Sequence, residues 1–359
     1  MTHTFFEEIV NKMVSNKSVF GAILCIENED RSISWRGAAG DLEADDHYFI
    51  ASVTKMIISA LILHLREKEK LELDDPIVNY FPDGRLDGIH QYEGTDYTKE
   101  ITIKHLLSNT SGIPDYFSSK KPDGTKIESE IFGGKDEFWS LDMVIDTAKK
   151  MKPKFSPGQK GKVAYSDTNF RLLGAIIEKV TGKNLRDVYR EYIFEPAGME
   201  NSYAFHDVDD DKPARMYYKK EQIHIPKFVS SCTAEGGVVS TAEEIMKLNK
   251  AYFNGLWFPE KQIKELKEWR MIYFPGQFYF GIGLEKLWTP RFISPLRPIN
   301  EILGFWGQSG AFAFHHPGTG LYFSGTVNQL SGFGHSAAYK AMVKVIKTAL
   351  KERSLSGSE

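Results

Sequence analysis

A chain of 359 residues, 42% of them apolar and 26% charged, has the composition of a soluble globular protein with one large domain or two closely packed ones. Its formal net charge of −3 and pI near 6.4 give no electrostatic reason to expect nucleic acid as a partner. Its longest apolar run, about ten residues, is well short of the roughly 20 a bilayer span needs, and its two cysteines, Cys25 and Cys232, exclude a disulfide framework and read as small packed residues.

The N-terminal MTHTFFEEIVNK has neither the basic nor the apolar region of a secretory signal and reads as the start of an amphipathic helix. The expected location of the chain as written is cytoplasmic; a signal removed ahead of this numbering would make it periplasmic or extracellular. Residues 19–27 and 32–37 read as a strand hairpin, and residues 56–65, MIISALILHL, as a helix buried on nearly every side, with Ser52 in its first turn. A mostly helical stretch follows, with helices over 101–107, 141–151, 169–180, 185–193 and 242–254. Strand character returns at 302–306, 310–315 and 321–327, with Pro317-Gly318-Thr319-Gly320 as the last turn. A final helix is expected over 336–351, then a disordered SLSGSE tail.

This order predicts an α+β fold. One antiparallel sheet combines the N- and C-terminal strands and is flanked by the terminal helices, with a helical domain inserted between. The expected division is residues 1–70 and 225–359 for the sheet domain and 71–224 for the helical one.

Ser52 and Lys55 lie three residues apart at the mouth of the apolar helix. That spacing puts their Cβ atoms about 5 to 6 Å apart on one face, so the amine reaches the hydroxyl, and the unpaired N–H groups of the helix start favour negative charge there. Ser118-Ser119-Lys120-Lys121 has the same spacing in a polar, Lys-rich stretch and reads as solvated loop. Lys55, wedged among apolar neighbours, is expected to lose hydration and favour its neutral form; the plainer reading is a snorkelling lysine on a core helix. Tyr165, in a polar loop that feeds a buried helix, is a second candidate, against the plain reading of a packed, hydrogen-bonded tyrosine.

The blocks FIASVTK, HLLSNTSGIPDY, PGQKGKVAYSDTNFRLLGAIIEKVTG, TAEGGVVSTAEEI and WGQSGAFAF, in that order and spacing, resemble the serine beta-lactamase and penicillin-binding-protein superfamily, in particular its class C and esterase-like branch, from about Ser32 to Val327. The resemblance implies an α/β domain packed on a helical one, with the active site in the cleft between them. It makes Ser52 the acylated nucleophile, Lys55 its proton-handling partner, and Tyr165 the group that protonates the leaving group and later activates water. The oxyanion hole would be the backbone N–H groups of Ser52 and Ala311. Asp167 falls where the family usually has Asn, and Gln308-Ser309-Gly310 where it has Lys or His, then Thr or Ser, then Gly. Asp167, Gln308, Ser309, Gly310 and Asn109 are the implied substrate contacts. Asn109 lies in Ser108-Asn109-Thr110-Ser111-Gly112, which reads equally as a helix C-terminal turn capped by Gly112.

A free Lys titrates near about 10.4 and a free Tyr near about 10, so either needs a downward shift of about 3 units to act as a base at neutral pH; the sequence does not choose between them. Gln308 lacks the cation that would meet a substrate carboxylate, and an ionised Asp167 only accepts hydrogen bonds, repels anions and can pair with Lys55. The expectation is therefore a serine hydrolase with esterase- or peptidase-like activity, acting through an acyl-enzyme on esters or amides of uncharged or cationic character and preferring these to penicillins. A catalytically retired binding protein on the same scaffold is the alternative. No cofactor or metal is expected, and the partner is a small-molecule or peptide acyl substrate; the oligomeric state is open.

Two other hydrolase chemistries fit less well. Among ten histidines none is paired at helical zinc spacing, and His315-His316, expected at the surface, would point to opposite faces of a strand. Gly334-His335-Ser336-Ala337-Ala338 nearly matches a nucleophile elbow, but no histidine follows it, and Ser336 reads as a helix N-cap. Gly236-Gly237 reads as a close-packing point, and the aromatic segment 269–280 as an acyl-pocket wall or core filling.

Overall fold

Strand β1 (Gly21–Asn28) is apolar at almost every position up to Glu27, a pattern that is stable only when both faces are covered. Both are covered in the computed structural model, which describes residues 1–15, 17–272, 278–289 and 298–356. β1 pairs antiparallel with β2 (Ser34–Gly40), with Leu24 opposite Gly37. The other strands of this sheet come from the far end of the chain: β3 (Arg270–Met271), β4 (Phe278–Phe280), β5 (Glu285–Leu287), β6 (Ile302–Trp306), β7 (Phe312–His316) and β8 (Leu321–Thr326). The order is β3-β4-β5-β6-β7-β8-β1-β2 with antiparallel neighbours throughout, and β8 meets β1 with Leu24 opposite Gly325.

The two-residue period of the strands sorts their side chains between two layers. Leu24, Ile26, Phe312, Phe314 and Phe323 pack with helices α1 (His3–Met13) and α5 (Phe333–Ser356). Ile23, Cys25, Ala313 and Tyr322 face the opposite layer, which contains α2 (Thr54–Glu67), α3 (Asp167–Thr181) and α4 (Ala242–Phe253). That second apolar cluster is continuous from the sheet through α2 to Leu71, Ile77 and Ile176. Among the described residues no helix is long and apolar enough to cross a membrane.

The mid-chain helices lie close to their expected places and are started by polar caps. Thr102, Ser140 and Thr241 accept backbone N–H groups at the starts of Ile103–Leu107, Leu141–Lys150 and α4. The stretch expected as one helix over 185–193 is an α-helix, Leu185–Val188, that continues as a π-helical segment, Tyr189–Phe194. β3, β4 and β5 go beyond the expectation for 269–280, being too short to show alternation; residues 273–277 of that segment lie outside the described residues.

Three local expectations are corrected. α5 begins at Phe333, so Ser336 lies within its first turn and is not the N-cap; the helix runs on to Ser356, making the first part of the expected tail helical, while 357–359 lie outside the described residues. His315 and His316 are not surface residues. His315 stacks on Tyr322 with centroids 4.1 Å apart, His316 is buried against Thr319, and burial pulls both down to about 4, leaving them neutral. Both cysteines are buried and unpaired, as expected.

Candidate active site

The chain enters α2 through a single 3₁₀ turn, Ala51–Val53, so Ser52 sits on this tight entry and not inside the first α-helical turn. Ala51 adopts φ +45, a left-handed conformation unfavourable to a residue with a Cβ, held by its surroundings. Ser52 opens onto a cavity, whereas Lys55, one turn on, is completely buried.

An ammonium group so buried is costly unless every proton finds an acceptor. The Lys55 Nζ donates to the Ser52 Oγ and the Glu235 carbonyl oxygen and forms an ion pair with an Asp167 carboxylate oxygen, each at 2.7 Å. Tyr165 stands against the same nitrogen, its ring centroid 5.1 Å away. The hydroxyl, amine and phenol singled out in the sequence therefore converge, from segments more than a hundred residues apart.

Asn109 brings Tyr165 there. Its backbone carbonyl accepts from Ala164 N–H at 2.9 Å and its side-chain oxygen from Ser166 N–H at 3.1 Å and Asn169 Nδ2 at 2.9 Å, gripping both neighbours of Tyr165. Asn109 is fully buried, and its part as a substrate contact rests on the resemblance alone. Ser309 is likewise buried, donating to the Phe49 carbonyl at 2.6 Å, and neither it nor Gly310 is part of the wall. Gln308 does line the cavity, where its amide donates to Glu128 Oε1 at 2.9 Å.

Gly307 sets the distance between the β6–β7 turn and the entry to α2. A Cβ there would lie 2.3 Å from the Ile50 carbonyl oxygen and 3.2 Å from the Cβ atoms of both Ala51 and Ala311. Only glycine lets Ala311 come this close to the Ser52 turn. Among the described residues no acceptor takes the N–H of Ser52 or of Ala311.

Electrostatics overturn one expectation. Burial does pull Lys55 toward its neutral form, but the Asp167 carboxylate and Tyr165 outweigh it, and the group ends above its ordinary pKa. Burial also raises Tyr165, against the opposing pull of Lys55. The resting pair is thus a charged lysine and a neutral phenol, because Asp167 supplies the negative charge that apolar neighbours lack.

The sequence reading did not single out Asp115, Glu235 or Glu285. The Asp115 carboxylate accepts from the N–H of Asp167 at 3.0 Å, tying the start of α3 to the segment beside it; burial, and then the nearby Asp167 charge, push it up to about 7. Glu235 holds the carbonyl below Lys55, its own carboxylate receiving Tyr116 at 3.0 Å and lying 3.5 Å from Arg171. Asp115 and Glu235 lie inside two of the blocks quoted above; Glu285 stands in a three-residue strand with no alternation to mark it.

The cavity in front of Ser52 measures about 540 Å³. Its wall contains four carboxylates, Asp115, Glu128, Asp167 and Glu285, together with aromatic and aliphatic side chains, and among the described residues no lysine or arginine. His335 adds no charge, since burial lowers its pKa and its Nε2 lies 2.8 Å from the Gly307 carbonyl oxygen. Among the described residues no cluster of His, Cys, Asp and Glu is placed to hold a metal ion.

The chain is 25% identical to the D-alanyl-D-alanine-carboxypeptidase/endopeptidase AmpH of Escherichia coli K12 over 237 residues, 66% of this chain and 56% of that protein. It spans about half the length of the curated relatives it matches. Among solved structures, D-amino acid amidase from Ochrobactrum anthropi SV3 superposes with a TM-score of 0.78 at 22% identity, covering 97% of this chain and 99% of that one. A D-stereospecific amidohydrolase from Streptomyces sp. gives 0.77 at 23% identity, covering 94% and 98%. At such identities these structures speak for the fold. The sequence matches the family described as Beta-lactamase over residues 6–345, nearly its whole length, and the chain belongs to that family of hydrolases.

Proposed function

We propose that this protein is a serine hydrolase that acylates Ser52 and acts on amides or esters carrying no negative charge, with preference for those carrying a positive one. The observation that carries the reading is the Ser52–Lys55 contact of 2.7 Å opening onto a cavity lined by four carboxylates. An anionic acyl group, such as the carboxylate of a penicillin, meets like charge there and no cation from Gln308. The amidases and the carboxypeptidase named above act on related bonds in their own settings and support the reaction class.

At neutral pH the resting Lys55–Tyr165 pair holds one proton too many to accept another. The reactive form is the minority that has lost one, and its population grows with pH. Ser52 Oγ passes its proton to that pair as it bonds to the substrate carbonyl carbon, and the oxygen of the tetrahedral intermediate takes the N–H groups of Ser52 and Ala311. Tyr165 delivers the proton to the departing amine or alcohol. Water then attacks the acyl-enzyme, giving its proton back through the same pair, and Ser52 is released.

A fluorophosphonate probe tests the first step. The expected result is one adduct on Ser52, absent in Ser52→Ala; a folded protein that takes no label would instead be a binding protein on this scaffold. Turnover of short p-nitrophenyl esters and amino-acid p-nitroanilides, compared with that of nitrocefin, tests the charge preference, and efficient nitrocefin turnover with inert esters would reverse it.

A further inference from the structure

Three of the four carboxylates that face the cavity engage a neighbouring side chain. Asp167 pairs with Lys55, Glu128 accepts from Gln308, and Asp115 accepts the N–H groups of Asp167 and Ser118 and the Ser118 hydroxyl. Glu285 differs. It is 1% exposed, on β5 opposite Phe280 of β4 and Gly304 of β6, and its Oε2 takes the Trp306 N–H at 2.7 Å. Among the described residues no donor reaches Oε1, although the side chain forms part of the cavity wall. Glu285 and Leu287, two apart on the strand, share the face that looks into the cavity. Around them stand the rings of Tyr165, Phe278, Trp306 and Tyr339, a setting in which a cation finds aromatic faces as well as a carboxylate.

We propose that Glu285 anchors a cation-selective subsite of the cleft, taking a primary ammonium group carried by the substrate. This rests on the hydrolase reading above, since the ligand must reach from Ser52 along β5. In the empty cleft burial holds Glu285 well above the ordinary carboxylate range, against the opposing Trp306 N–H and the weaker pull of Lys55. Lys55 and Tyr165 are the ionisable groups coupled to it. His335 and Tyr339 of α5 share the cavity with the other three carboxylates. An ammonium that docks on the neutral acid form sends the glutamic acid proton to solvent and keeps all of its own, so one positive charge enters and one departs. Neutral ligands of the same shape cause no such exchange.

Ser52→Ala protein, which can bind without turnover, is titrated calorimetrically with benzylamine and with benzyl alcohol in two buffers of different ionisation heat at about pH 7. Benzylamine is expected to bind more tightly than the alcohol and to release about one proton per site. Adding Glu285→Gln should weaken benzylamine by about tenfold or more, abolish the release and leave the alcohol unchanged. Equal affinities, binding without proton release, or loss of both features on Asp115→Asn but not on Glu285→Gln would overturn the assignment. Should Glu285→Gln fail to unfold cooperatively, the pH dependence of benzylamine affinity in Ser52→Ala decides: rising affinity with pH supports it, a flat profile overturns it. Fluorophosphonate labelling of Ser52 in the parent protein separates the two ideas. A labelled protein indifferent to benzylamine loses only the subsite, and an unlabelled one loses the hydrolase reading.

Discussion

Replacing Asp167 with Asn should move the rising limb of the pH–rate profile to lower pH. Asp167 lies 2.7 Å from the Lys55 nitrogen, and at an effective dielectric of about 20 two unit charges at that separation attract by about 6 kcal/mol. Asn keeps an oxygen that can accept from the ammonium, and a hydrogen bond to a charged group retains roughly 1.5–3 kcal/mol of this. The net loss, about 3 kcal/mol or more, corresponds to about two powers of ten in proton affinity. Asp167 also raises Tyr165, so whichever of the pair loses its proton first, that loss comes more easily without the carboxylate. The measurement is kcat/KM for p-nitrophenyl acetate across pH, with Asp115→Asn as a control because Asp115 also feels the Asp167 charge. The limb should fall by at least about one pH unit in Asp167→Asn, a conservative bound on that energy. A limb that stays in place, or moves up, in a protein still labelled at Ser52 would refute the idea that Asp167 holds Lys55 charged.

Gly307→Ala should cut Ser52 labelling by about tenfold or more with only a modest fall in Tm, since the added methyl meets the Ile50 carbonyl at 2.3 Å and parts Ala311 from the Ser52 turn; unchanged labelling would mean that spacing is immaterial. Gln308→Lys places a cation beside Glu128, and the ratio of nitrocefin to ester turnover should rise several-fold, by about 1 kcal/mol of discrimination; a constant ratio would count against charge as the selector. Asp115 is raised from 3.8 to about 7, so its contribution to stability is complete below its unfolded value and is lost as pH rises through about 7, at most about 4 kcal/mol. Asp115→Asn should therefore lose less Tm than the parent between about pH 5 and about pH 8, as read by thermal unfolding; equal losses would argue that Asp115 ionises normally in the folded state.

How much of this was legible in the sequence depends on what each residue's role rests on. The helices were legible because their apolar periodicity and polar starts are local. Ser52, Lys55 and Tyr165 were legible as a set because the order of blocks carried them, and the Ser52–Lys55 spacing alone met the geometric need of a shared face. The charge on Lys55 was legible only in part: pairing with Asp167 was one expectation, but the apolar neighbours in sequence argued for the neutral form, and the carboxylate arrives from α3, over a hundred residues away. The hydrogen bonds by which Asn109 holds the Tyr165 segment were not legible for the same reason. Its partners, Ala164, Ser166 and Asn169, become neighbours only when the loop before α3 folds back.

The charge of the cleft is a property of assembly more than of composition. A net charge of −3 over the whole chain says nothing of a wall on which four acids meet, and those acids come from separate pieces: Asp115 and Glu128 from the segment after Ile103–Leu107, Asp167 from α3, and Glu285 from β5. Each is kept in place by something other than its own charge, whether the interlock of Asp115 with the N–H of Asp167, the amide of Gln308 against Glu128, or the Trp306 N–H on Glu285. Gathering acids in this way opposes folding through desolvation and mutual repulsion, and Lys55 relieves Asp167 directly and Glu285 only weakly. The pressure falls on the two that burial pushes up most plainly, Asp115 and Glu285, both raised above the range of exposed acids. An incoming cation would offset that pressure, so the proposed selectivity for positive charge and the expected sensitivity to pH would have one physical origin.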